Sequence, residues 1–455
     1  MTIPGNDPLR SSTPGITGVT TLNSVVGEGI IPAMSLELDK QAIREEALER
    51  FLRYVTVYTT SDRHSGTHPS SERQFDLARI LVEELKGLGV TDVELTDNCY
   101  VLARIPGNDG GKAPSLGFLA HMDTAPDLSG EGVSPQLWRD YNGEPIRLNE
   151  SYTLDPEDYP ALKDYIGDTI ITTDGTTLLG ADDKAGVSEI MTAVSYLLSH
   201  PDIPRGDLEV IFTPDEEIGH GIDGLPLEEL NSRFCFTMDG GAEGMIEAEC
   251  FNAYHCRVTF NGYVIHPGSA KNRMANATTM AGRFLSMLPQ AESPEATEGR
   301  DGFYCPVEVR GDYGTAVVDL IIRDFEIEEV ERRIDYVRSL AATLEKAFPR
   351  SSVVVEVEKQ YLNMRDALKP YPFVMDFVRE AVSEAGLVPQ IHSIRGGTDG
   401  SRLTELGIPT PNIFAGGHNF HGRYEWIAQG ALQRATETII HLVDIWRRRA
   451  ADHVG

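Results

Sequence analysis

Short apolar runs that each stop at a chemically active residue constrain this chain most. Leu116–Ala120 ends at His121. Leu208–Thr213 is followed by Pro214, Asp215, Glu216 and Glu217, and Phe234–Met238 ends at Asp239. Runs this short are strand-length, and unbroken apolar strands are buried on both faces. Helical spacing lies around them. Ile43, Ala47, Phe51 and Tyr54 share one face between Leu38 and Tyr58, and Leu77, Leu81, Leu85 and Leu88 share another between Ser71 and Leu88. A further helix is expected from about Lys184 to Leu198. Strands alternating with helices predict an α/β fold, a mostly parallel sheet with helices on both faces. Such sheets bind ligands at the carboxyl ends of their strands, where these polar residues fall.

At 455 residues the chain exceeds one ordinary core; at roughly 100–200 residues per domain, two or three domains are expected. Residues 1–38, rich in Gly, Pro, Ser and Thr, read as a flexible extension. The α/β style runs over 39–250 and changes near Phe251. His255–Phe260, a helix near Ala275–Leu288, Val317–Arg323, a helix over Ile327–Phe348 and Val353–Val357 suggest a small inserted α+β domain, 251–362. The α/β style resumes over 363–455 with Ile413–Ala415 and a last helix over Ile427–Trp446.

The net charge of -30 disfavours nucleic acid and anionic membrane surfaces as partners. Five scattered cysteines without a CxxC pair read as free thiols in a reducing, cytoplasmic setting. No apolar run of membrane-spanning length and no secretory leader pattern occurs.

Taken singly, each polar segment has an ordinary explanation. His121-Met122-Asp123 could be a hydrogen-bonded surface pair, Asp182-Asp183 before Lys184 a helix cap, Glu216-Glu217 a solvated face, Asp239 before two glycines a turn, and His421 a loop histidine. Those explanations weaken together, because the strands aim these groups at one sheet edge. Carboxylates converging there repel one another unless a cation sits among them. Imidazole plus carboxylate is a ligand set that zinc takes.

In this order the segments resemble the co-catalytic di-zinc exopeptidases, and among them the tripeptide aminopeptidases. The resemblance extends to Ile171–Gly175 before Leu178–Gly186, to Val264–Gly268, Ile321–Phe325 and Arg395–Gly400, and covers about residues 40 to 450. The N-terminal extension and His418, where an aromatic residue is expected, depart from the pattern. The resemblance implies two Zn2+ per chain, with Co2+ or Mn2+ as substitutes. His121 would bind one zinc and His421 the other, Asp182 would bridge them, and Asp239 and Glu217 would complete the ligands. Two zincs carry four positive charges against three carboxylates, leaving one for a bridging hydroxide that attacks the peptide. Glu216 would be the general base and Asp123 would fix the His121 ring. His266, before Pro267 in the insert, would stabilise the oxyanion as this lid closes. Its other reading is a plain loop histidine. Arg323 and Arg395 would clamp a peptide carboxylate, with Asn276 a further substrate contact.

The implied activity is release of the N-terminal residue from tripeptides. Sister activities are the alternative: a dipeptidase, a carboxypeptidase or an N-acyl deacylase. A catalytically dead metal-binding protein would lack the base or a ligand, and neither is missing. The expected partner is a short peptide, with a homodimer through the lid domain, as lids of this kind often pair.

Overall fold

The computed structural model describes residues 36–454. The extension assigned to residues 1–38 lies outside them except for its last three positions. The chain divides after Glu37, and the body from Leu38 onward carries everything below.

The central sheet has eight strands. From one edge they run Asp92–Leu95, Val101–Ile105, Leu208–Thr213, Leu116–His121, Cys235–Gly240, Asn412–Phe414, Met245–Cys250 and Gln390–Ile394. Leu116–His121 lies parallel to both Leu208–Thr213 and Cys235–Gly240, and Asn412–Phe414 runs parallel to Cys235–Gly240. Every residue of Leu116–His121 and Leu208–Thr213 is buried, which is why both read as mainly apolar runs, the second interrupted by the buried Glu209. The sheet is thus mostly parallel, with antiparallel pairings toward its edges.

The helices Lys40–Val55, Ala181–Ser199 and Gln429–Arg449 pack on one another. Ala181–Ser199 approaches the sheet so closely that Gly186 leaves no room for a side chain. A Cβ there would sit 2.0 Å from the carbonyl oxygen of Met238. Asp182 and Asp183 have non-helical backbones, so regular helix begins at Lys184, where the apolar spacing placed it.

A second sheet, antiparallel, has the order Phe303–Gly311, Thr315–Asp324, Asn252–Asn261, Ser352–Tyr361. Ala277–Met287 and Ile327–Ala347 cover one face, burying Val258, Phe260, Phe284, Leu320 and Val337 in a core of its own. The other face is open, and Ile321, Arg323 and Gln360 line a cleft between the two sheets. Sequence reading finds three of these strands and misses Phe303–Gly311. That strand is at an edge, contains Pro306, and is exposed from Pro306 onward, so it carries no apolar signal.

A third, four-stranded sheet joins distant segments. Trp426–Ala428 pairs antiparallel with Ile170–Thr172 and with Gly417–His418. Among the described residues no helix is long and apolar enough to cross a membrane. All five cysteines are free.

Candidate active site

Three neighbouring parallel strands end at the same edge, and each delivers a side chain there. His121 is the last residue of its strand, Asp239 lies near the end of the next, and the Glu216-Glu217 turn follows Leu208–Thr213. Asp182 enters from the start of its helix and His421 from the loop between Gly417–His418 and Trp426–Ala428.

The five form two donor groups: His121, Asp182 and Asp239, and then Asp182, Glu217 and His421. Asp182 belongs to both. Its Oδ1 lies 2.9 Å from His121 Nε2 and its Oδ2 lies 3.2 Å from His421 Nε2. His121 Nε2 is also 3.6 Å from Asp239, and His421 Nε2 is 3.0 Å from Glu217. The second oxygen of Glu217 is buried without a partner.

His121 Nδ1 donates to the carbonyl oxygen of Asp123 at 3.1 Å, with the Asp123 carboxylate at 3.4 Å. The backbone therefore shares the ring-holding role expected of the carboxylate alone. That carboxylate accepts the backbone N–H groups of Glu216 at 3.0 Å and Glu217 at 3.2 Å, fixing the turn. Asp215, buried under the same turn, accepts from the Ser70 backbone and from Gln74 Nε2, each at 2.6 Å. Asp183 accepts from Gly186 and His121 backbone N–H groups, a capping role rather than a ligand position.

Crowding shows in the proton affinities. Burial, with Asp182 alongside, pushes Glu217 up to about 8, and burial with Asp182 close by takes Asp239 to about 6. Burial and then Asp239 drive Glu216 well above the usual range. Burial would raise Asp182, but hydrogen bonds from His121 and His421 outweigh it and hold it low. Those bonds to Asp182 and Glu217 lift His421 to about 11. Left to itself, the cluster must take up protons to offset charge. A divalent cation in each group would do so instead, and two imidazole nitrogens with three carboxylates suit zinc-like ions. The residues present therefore fit two metals.

These groups open on a cavity of about 810 Å³. Arg323 lines it, with its guanidinium on Gln360 Oε1 at 2.8 Å and over the Tyr361 ring. Glu247, Asp399 and Arg402 also line it. Nothing in the sequence singles out those three, although Asp399 lies within the Arg395–Gly400 segment that carries the family resemblance.

Three expected substrate contacts are not brought to the cavity. Arg395 spends its donors on the loop Thr297–Asp301, at 2.8 Å from Thr297 Oγ1 and 3.0 Å from the Asp301 carbonyl, and lies over the Phe251 and Phe303 rings. Asn276 caps the helix Ala277–Met287 by accepting from Thr279 N–H at 3.1 Å. His266 is exposed and accepts from Gly268 N–H at 3.1 Å within its own turn.

Residues 178–444 match the profile of Peptidase family M20/M25/M40. The chain is 46% identical to peptidase T of Geobacillus kaustophilus over 411 residues, 90% of this chain and all of that one. It is 45% identical to peptidase T of Clostridium novyi over 406 residues, 89% of this chain and all of that one. A crystal structure of aminopeptidase PepT from Bacillus cereus superposes with a TM-score of 0.69 at 21% identity, covering 89% of this chain and 98% of that one. A Bacillus subtilis protein described as a dinuclear metal binding peptidase gives 0.60 at 14% identity, covering 89% and 98%.

Proposed function

The chain belongs to peptidase family M20/M25/M40 and is a peptide hydrolase, and from this we propose that it is a two-metal aminopeptidase that releases the N-terminal residue of tripeptides. One observation carries the reading. Two three-donor groups share Asp182 at the sheet edge, and Glu216, in neither group, stands in the same cavity.

His121, Asp182 and Asp239 would hold one divalent cation, and Asp182, Glu217 and His421 the second, with zinc the first candidate. Bound there, the pair would supply Lewis acidity to the scissile carbonyl and lower the pKa of a nearby water. The rest falls to the chain's own residues. The Glu216 carboxylate takes the proton from the attacking water and hands it to the departing amine nitrogen. Asp123 keeps Glu216 in place through its backbone N–H. Arg323, on the face of the second sheet that looks into the cavity, now donates to Gln360 and to the Tyr254 and Ile322 carbonyls, and would turn from them to the peptide carboxylate.

A panel of di-, tri- and tetrapeptides and N-acylated peptides tests this, with and without a chelator. Fastest cleavage of tripeptides at the N-terminal bond, lost on chelation and restored by zinc, cobalt or manganese, is the expected result. Preference for dipeptides, for C-terminal cleavage or for acyl groups would assign one of the sister activities. Undiminished turnover in metal-free protein would overturn the two-metal reading.

A further inference from the structure

One buried carboxylate next to the site has no part in the chemistry above. Glu425 is 1% exposed. Its Oε2 accepts the backbone N–H groups of Leu179 at 2.7 Å and Gly180 at 2.8 Å, and its Oε1 accepts that of Asp182 at 3.1 Å. All three donors lie more than 240 residues away in the chain.

The surroundings explain how three amides point at one anion. Gly180 adopts φ +81, so the turn around it curls its N–H groups inward as a concave cradle. Glu425 itself ends the loop that carries His421 and leads directly into Trp426–Ala428. Trp426 is the register partner of Thr172, from which the chain departs toward Asp182. Two loops thus spring from one pair of strands, and each presents one donor of the second metal group. Pairing of Trp426 with Thr172 fixes only their bases. Glu425, at the base of the His421 loop, reaches across to the Leu179–Asp182 end of the other.

We propose that Glu425 is a positioning residue, a strap that sets Asp182 against His421 and so shapes the group formed by Asp182, Glu217 and His421. The inference rests on the metal reading given above. The three backbone N–H bonds require no cation, so the strap acts before one arrives. The group of His121, Asp182 and Asp239 depends on it less, since His121 and Asp239 stand on paired strands of the central sheet.

Cobalt(II) titration of metal-free protein, followed by its visible absorption, tests this. Wild type is expected to fill two sites, and the step lost in His421→Ala identifies the second group. Glu425→Gln keeps the shape but turns an amide donor toward a backbone donor. It should weaken that second step by about 10–100-fold, the usual effect of losing an outer-shell partner, while the first step moves by a few-fold at most. Unchanged steps, or two steps weakened equally, overturn the strap. Amide exchange in metal-free wild type gives a reading that needs no variant. Leu179, Gly180 and Asp182 N–H groups should exchange far more slowly than an open loop, and exchange at open-loop rates overturns the proposal. Wild type that takes up no cobalt sinks the metal reading instead, and amide exchange then decides the strap alone.

Discussion

Glu216 and Glu217 are neighbours in the chain, yet their surroundings differ. Glu217 touches His421 and shares a donor group with Asp182, whereas Glu216 has neither contact. On the two-metal reading, replacing Glu216 by Gln should lower kcat by about 10²–10⁴-fold, the usual loss for a general base, with two metals still bound. Steady-state kinetics on a tripeptide beside elemental analysis checks this; a variant that loses metal would mean the two roles are exchanged. Single residues were legible where strands ended at them, as at His121 and Asp239. Arg395 was not, because the sequence offers no hint that the loop Thr297–Asp301 would occupy its guanidinium. Glu425 was equally silent, since its three partners are backbone amides and no side-chain pattern marks a carboxylate that binds main chain.

Elements buried on both faces were the easiest to read, and the closeness of their packing gives an element-scale test. In Gly186→Ala the new methyl would meet the Met238 carbonyl at 2.0 Å and the Asp183 carboxylate at 2.5 Å. The first obstacle is backbone, which cannot swing aside, so the helix Ala181–Ser199 must lift from Cys235–Gly240. A loss of about 1–3 kcal/mol is expected, the range for overpacking a tight core. Denaturant unfolding of the variant beside wild type measures it, and an unchanged midpoint would show that the helix and strand can separate at no cost. Gln390–Ile394, like Phe303–Gly311, escaped sequence reading. It is an edge strand, almost wholly exposed, and its residues carry no burial pattern to detect.

Across the whole molecule, the cavity between the two sheets leaves His266 out of reach on the surface of the second. A group so placed could serve chemistry only when the sheets approach each other. On the aminopeptidase reading, His266→Ala should therefore lower kcat by about 10²-fold, the cost of one oxyanion donor, with little change in KM, metal content or melting temperature. Kinetics and a melting curve on the same preparation check this, and an unchanged kcat would reduce His266 to a plain loop residue. The strand order of the central sheet also bears on how the chain is made. Cys235–Gly240 and Met245–Cys250 are only four residues apart, yet Asn412–Phe414 lies between them. While a ribosome is still building the second sheet, those two strands must wait with unpaired N–H and C=O groups facing an empty slot, a state that invites association with other chains. The sheet closes only after Phe414 has left the exit tunnel, and the donor His421 follows seven residues later. Nascent chains halted before that point should depend on chaperones, and on the two-metal reading the second donor group forms only after His421 has emerged.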